Sequence, residues 1–184
     1  MIAADAPEFS RRYTLAEAER MRKPVTITAD ADERAALARR FAIAAIDELA
    51  ATVTLVVDDD VVTATGRLAA ALVQRCVATD DPLPVALDEV FAVRFEPEPD
   101  HVAAADEEIE LAADECDVMH YENARIDLGE AVAQTLLLSL DPYPRGPDAE
   151  DFLKAKGVKS EAEAKRDASP FGALAALRDT SDKA

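Results

Sequence analysis

The longest regular pattern in the chain is an alternation of apolar and polar positions between residues 49 and 95. Leu49, Ala51, Val53, Leu55 and Val57 share one face of a strand, and Asp58-Asp59-Asp60 then supplies a turn. A return strand sets Val62, Ala64, Gly66 and Leu68 together. After Thr79-Asp80-Asp81-Pro82 a third long strand aligns Val85, Leu87, Phe91, Val93 and Phe95, with Glu89 the one charged exception on that face. The pattern predicts an antiparallel meander with one face buried by helices and the other partly wet.

Around this meander the period changes. Val25 and Ile27 alternate with Thr26 and Thr28, which reads as a further strand, and the preceding residues read as short extended runs joined by a basic stretch. Asp30 lies three residues before Glu33, an acidic form of the capping box, and Leu37 and Phe41 follow one turn apart, so a helix of about three turns begins here. The clearest helix opens at Asp127 as N-cap. Glu130 stands at the capping-box position, Leu128, Val132, Leu136 and Leu140 form one stripe, and Asp141-Pro142 brings the helix to a stop. The fold class expected is therefore α+β: an antiparallel β meander packed against a few helices.

Two segments depart from this regularity. Residues 96–122 contain no Lys or Arg, which predicts an acidic, flexible or extended excursion that orders only near its end. Residues 148–184 are charged and alanine-rich and are expected to form a partly flexible tail behind a single domain of residues 1–147; the tail closes with Ser169-Pro170-Phe171-Gly172-Ala173-Leu174-Ala175-Ala176-Leu177. Over 184 residues the formal net charge is -18. Such a charge disfavours a broad nucleic-acid-binding face and attracts basic partners, although composition alone favours acidity that serves only solubility. No run of eighteen apolar residues and no secretion signal is present, so a soluble cytoplasmic protein with reduced thiols is expected, without membrane or DNA partners.

Chemistry-bearing motifs are sparse. The sequence has no phosphate-binding glycine loop, no HExxH and no CxxC. His101 and His120 both fall in the acidic excursion, where solvated loop histidines are the simpler reading than catalytic ones. Cys76, Cys116, His101 and His120 lack the paired spacing of a zinc site, and Asp106-Glu107-Glu108 lacks the glycine-centred spacing of a calcium loop. Arg75 precedes Cys76, but neighbours in a strand point to opposite faces, so the thiol reads as a small buried side chain. No catalytic residue, metal site or cofactor is expected.

Three pieces, Gly66–Phe95, Ile126–Arg145 and Ser169–Leu177, together resemble the DUF177 or YceD family of bacterial large-subunit ribosomal RNA accumulation proteins. The N-terminal Pro7–Leu15 and Glu33–Phe41 resemble its alphaproteobacterial branch. Many relatives carry Cys-x-Arg-Cys where this chain reads Val73-Gln74-Arg75-Cys76, and some carry a further cysteine pair where it reads Asp141-Pro142-Tyr143-Pro144-Arg145, so no metal role carries over. The resemblance implies a role in synthesis, processing or stability of 23S ribosomal RNA, with no enzymatic activity. The family's gene often neighbours that of a small basic ribosomal protein.

Charge and resemblance together favour a non-enzymatic ribosome-biogenesis factor that contacts a basic ribosomal protein or a large-subunit assembly intermediate, with only indirect or weak contact to rRNA. The contact elements expected are Arg75, the proline-fixed Tyr143, Pro144 and Arg145, and the tail residues Pro170 and Phe171. A plainer reading of each stays open: Pro142 ends a helix, and Phe171 docks on its own domain. Direct RNA binding through Arg11, Arg12, Arg34, Arg39 and Arg40 is the alternative. An RNA-processing hydrolase ranks below both, because no convergent carboxylate pair or activated nucleophile stands out.

Overall fold

A computed structural model describes residues 7–99, 117–159 and 164–165. They fall into two compact units. One comprises residues up to Gln74 together with Pro82–Pro142; the other comprises the turn Arg75–Asp81 together with the chain from Tyr143 onward.

The larger unit is built on a five-stranded sheet in the order β2-β3-β4-β5-β6, with β2 at Val25–Thr28, β3 at Ala45–Asp58, β4 at Val61–Arg75, β5 at Pro82–Pro97 and β6 at Asp117–Tyr121. β3 pairs antiparallel with both β2 and β4. The expected meander is therefore present, with one addition: β6 joins β5 in parallel, because it comes from beyond residues 100–116 rather than from a hairpin. The last part of the stretch expected as an acidic excursion is thus a strand. Residues 100–116 lie outside the described residues.

The alternation read from the sequence sorts the side chains as expected. Leu49, Ala51, Val53 and Leu55 are buried and face Leu68, Gly66 and Ala64 across the ladder, where Ala51 pairs with Leu68, Val53 with Gly66 and Leu55 with Ala64. Gly66 answers a spatial need, since a Cβ there would stand 2.8 Å from Cζ of Phe91 and 2.6 Å from the Thr52 carbonyl oxygen. The Asp58-Asp59-Asp60 turn closes the β3–β4 hairpin, with Asp59 in the left-handed region at φ 50°.

Helix α2, Ala31–Arg40, carries the full capping box. The Asp30 carboxylate accepts from the Asp32 and Glu33 amides, and Glu33 accepts from the Asp30 amide. Leu37 is fully buried. Helix α1, Leu15–Arg20, was not expected from the sequence, although Thr14 and Glu17 form a complete capping box of their own. It is short enough to pass for an extended run. Both helices pack on β3.

Strands β1, Arg12–Thr14, and β7, Arg125–Asp127, form a separate antiparallel pair that leads directly into α3, Leu128–Ser139. Leu128, Val132 and Leu136 are buried, and α3 packs against β5 and β1. Asp127 caps the helix through the Gly129 and Glu130 amides as expected. Glu130 does not return to close the box; its carboxylate takes two bonds from Arg40 instead, at 2.7 and 2.9 Å. An ion pair with a bidentate guanidinium outcompetes a single amide for that carboxylate.

In the smaller unit, the segment read from the sequence as the start of a charged tail carries helix α4, Ala149–Ala155, followed by Gly157 at φ 80°.

Gly129 has no room for a side chain, because a Cβ there would lie 2.4 Å from the Phe9 carbonyl oxygen and 2.9 Å from the Arg11 amide nitrogen. Gly129→Ala should lower stability by about 2 kcal/mol through overpacking, even though alanine is the better helix former by about 1 kcal/mol. Urea unfolding of the two proteins checks this, and a more stable variant would show that residues 9–11 yield without cost.

Candidate functional site

The residues expected as contact elements come from three parts of the chain, and the smaller unit brings four of them, from two of those parts, together. The turn Arg75–Asp81 holds its own shape: the Cys76 amide donates to Asp81 O and the Asp80 amide to Cys76 O, both at 2.9 Å. The segment after α3 packs on this turn, with the Val77 amide donating to Pro144 O at 2.9 Å and the Gly146 amide to Cys76 Sγ at 3.4 Å. Pro142 and Pro144 restrict the backbone on either side of Tyr143. Tyr143 is 72% exposed, and Val77 and Arg145 are exposed as well. Arg75 turns back to Asp80 at 3.2 Å in an exposed pair that adds little stability. Beside Arg145 opens a cleft of 570 Å³ lined also by Pro147, Leu153, Lys154 and Val158.

Cys76 follows the last residue of β4 and is buried. Its thiol is pulled below the ordinary range, to about 7, first by the Gly146 amide and next by the Thr79 hydroxyl, with burial opposing both. The turn therefore has a use for the sulfur as an acceptor as well as a packing group.

In the larger unit acidic residues collect at one end of the sheet. The Tyr121 hydroxyl donates to Asp60 O at 2.6 Å, and the Glu98 amide donates to Tyr121 O at 3.0 Å. The β3–β4 turn and the ends of β5 and β6 therefore share one end of the sheet, which gathers Asp58, Asp59, Asp60, Glu96, Glu98 and Glu122. Arg20 and Arg22, both exposed, line a surface depression together with Leu55–Val57 of β3.

The arginines expected to serve an RNA-binding face are largely engaged inside the fold. Arg11 pairs with Glu33 at 2.6 Å, Arg40 with Glu130 and Glu8, and Arg12 with Asp127 at 3.5 Å, while Arg34 donates to Ala29 O. Arg39 is exposed on α2. Glu33 is held below the usual carboxylate range chiefly by Arg11. Burial pushes Glu130 up, but the bonds from Arg40 and Gln134 together bring it below that range.

His120 lies on β6, opposite Glu96, and is exposed. It lines a cleft of 610 Å³ that also contains Arg12, Tyr121, Asn123, Arg125 and Asp127. Among the described residues no group of three or more His, Cys, Asp or Glu side chains is placed to hold a metal ion. No helix among the described residues is long and apolar enough to cross a membrane. His101, Asp106, Glu107, Glu108, Cys116, Pro170 and Phe171 lie outside the described residues.

Residues 64–178 match the family model described as large ribosomal RNA subunit accumulation protein YceD. The chain belongs to the YceD family. The matched span contains all three pieces on which the resemblance rested, together with both turns of the smaller unit. Its name ties the family to accumulation of the RNA of the large ribosomal subunit and describes no catalysis. No curated protein and no solved structure matches the chain.

The lowered thiol value carries a pH signature. A thiolate favoured in the folded state stabilises it above the ordinary thiol range, and that contribution is lost as pH falls from about 8.5 to about 7. The difference in melting temperature between the wild type and Cys76→Ala should be constant below pH 6.5 and widen by pH 9. A gap that stays flat up to pH 9 would show that the sulfur acts only by packing.

Proposed function

We propose that this YceD protein is a non-enzymatic ribosome-biogenesis factor. It acts in the synthesis, processing or stability of 23S rRNA by holding a basic ribosomal protein or a large-subunit assembly intermediate. The observation that carries this reading is the acidic end of the sheet. Asp58, Asp59, Asp60, Glu98 and Glu122 are exposed there on turns and strand ends, where a basic surface can approach without disturbing the core, while Glu96 is paired with Arg94. The family's tie to large-subunit RNA supplies the setting. The engagement of Arg11, Arg12 and Arg40 in internal ion pairs weighs against an RNA-binding face on that side of the fold.

In this reading the acidic end steers the encounter and the smaller unit gives it specificity. Arg75, Tyr143, Pro144 and Arg145 supply a rigid aromatic and a cation on a proline-fixed turn, with Pro170 and Phe171 adding apolar contact. Long-range steering falls with ionic strength, whereas the aromatic contact does not.

The test is in-cell crosslinking and affinity capture of the tagged chain. The wild type should recover large-subunit precursors and basic ribosomal proteins. The amide variant Asp59→Asn, Asp60→Asn, Glu98→Gln, Glu122→Gln should lose about tenfold of that recovery at low salt while melting normally, as expected for exposed side chains. Removal of residues 167–184 should also reduce it. Recovery indifferent to the four amides would overturn the electrostatic reading, and unchanged partners after the truncation would remove the tail from it.

A further inference from the structure

Strand β5 has a neighbour along only part of its outer side. β6 pairs with Val93–Pro97, so from Pro82 to Ala92 no described strand lies beyond β5. Burial follows the same division. Val85, Leu87, Glu89, Phe91, Val93 and Phe95 share one face by alternation. Where β6 lies alongside, Val93 and Phe95 are 3% and 1% exposed; where it is missing, Val85, Leu87 and Phe91 are only partly buried, and Val90 on the opposite face is 77% exposed. A strand laid along this ledge would complete both the backbone ladder and the apolar face.

The charges on the ledge are mostly acidic. Glu89 is exposed in the middle of the apolar row, and Asp117 opens β6 beside Val93; neither joins an ion pair among the described residues. Asp88, on the other face, is held by Arg67 of β4, and Arg94, further along β5, by Glu96.

We propose that β5 from Val85 to Ala92 receives an extended basic segment of a partner protein, added as a strand with its Lys or Arg side chains beside Glu89 and Asp117. Pro82 and Pro84 mark where the ledge begins, since neither has an N–H to offer. An acid within the apolar row of an edge strand deters indiscriminate pairing and favours a strand that brings a cation. A second copy fits badly, because β5 against β5 would bring Glu89 and Asp88 toward like charges in a chain of net charge -18. Residues 100–116 carry acids and no Lys or Arg, the same mismatch in charge.

The inference deepens the proposed function by naming how a basic partner is held, and rests on that reading for the partner's being ribosomal. Main-chain bonds would supply affinity with little regard to sequence, while Glu89 and Asp117 would select the sign of the charge.

Amide exchange of the purified full chain, read residue by residue by NMR, tests the ledge with a peptide of about twelve residues alternating lysine and valine as the probe. In the free chain the amides between Val85 and Ala92 that turn away from β4 should exchange freely. The peptide should slow them by at least about tenfold, and a glutamate–valine peptide should not. Glu89→Lys should weaken the lysine–valine peptide by at least about fivefold while melting normally, with Glu89→Gln between the two. Glu89→Lys with Asp117→Lys should accept the glutamate–valine peptide instead. Equal effects of both peptides, or binding that leaves the ledge amides unchanged, would overturn the proposal. Ledge amides already slow in the free chain would overturn it too, assigning the ledge to a second copy if the slowing rises with concentration and to the chain itself if it does not. No ribosomal component is present, so failure here overturns the ledge alone. A tagged chain that recovers no large-subunit component from cells while the peptide still binds would count against the proposed function alone.

Discussion

One carboxylate holds the larger unit together. Asp127 Oδ1 accepts from the amides of Arg11 at 2.8 Å, Gly129 at 3.0 Å and Glu130 at 3.3 Å, and Oδ2 accepts from the Ser10 hydroxyl and approaches Arg12 Nε at 3.5 Å. The same side chain therefore caps α3 and fixes the N-terminal strand across it. From Arg11 the connection continues to Glu33, which is at once an ion-pair partner and the third helical residue of α2, bonded back to the Asp30 amide. Two helix N-termini are tied through one residue, Arg11, immediately before β1. Arg40 closes the far end of α2 onto Glu130 and Glu8. Each pair is partly buried, so it is screened less than a surface pair, and removing one partner leaves a charge without compensation.

That arrangement explains which parts of the fold were legible in the sequence. Strand alternation, the α2 box and the Asp127 cap are local signals, because each is written within a few residues by period or by capping chemistry. What Glu130 does is not local. Its spacing from Asp127 suggests a return to the N-cap amide, yet Arg40, ninety residues away in sequence, approaches with two donors and takes the carboxylate. The α1 box at Thr14 and Glu17 was equally local and could have been read; its six residues offered too short a pattern to separate helix from extended chain. The parallel entry of β6 could not be read, since nothing in five residues encodes which neighbour they pair with or in which direction.

The candidate site shows the same division more sharply. Exposure of Tyr143 and the rigid path around it follow from Pro142 and Pro144, both visible in the sequence. That this turn lies against the Cys76 turn does not follow. The two are about seventy residues apart, and they meet through amides of Val77 and Gly146, which carry no residue-specific signature. The thiol, read alone, suggested metal chemistry or simple packing; in place it is also an acceptor for an amide. A sulfur can fill that position because it packs as a small buried group while accepting from the Gly146 amide and the Thr79 hydroxyl.

The family match begins at residue 64, within β4, but the physical unit does not begin there. β4 is paired along its length with β3, whose Val53 and Leu55 lie opposite Gly66 and Ala64. Asp127, inside the match, takes its bonds from Ser10 and Arg11, and Gly129 is small because the backbone of Phe9 and Arg11 runs against it, all of them outside the match. Residues before 64 thus set the entry angle of α3 and close the edge of the sheet that the matched span shares. Three of the acidic positions at the sheet end, Asp58, Asp59 and Asp60, also precede residue 64, whereas Glu96, Glu98 and Glu122 follow it. The carboxylates at that end are therefore shared between the matched span and the residues before it, and the earlier residues also supply the strand pairing that keeps them in place.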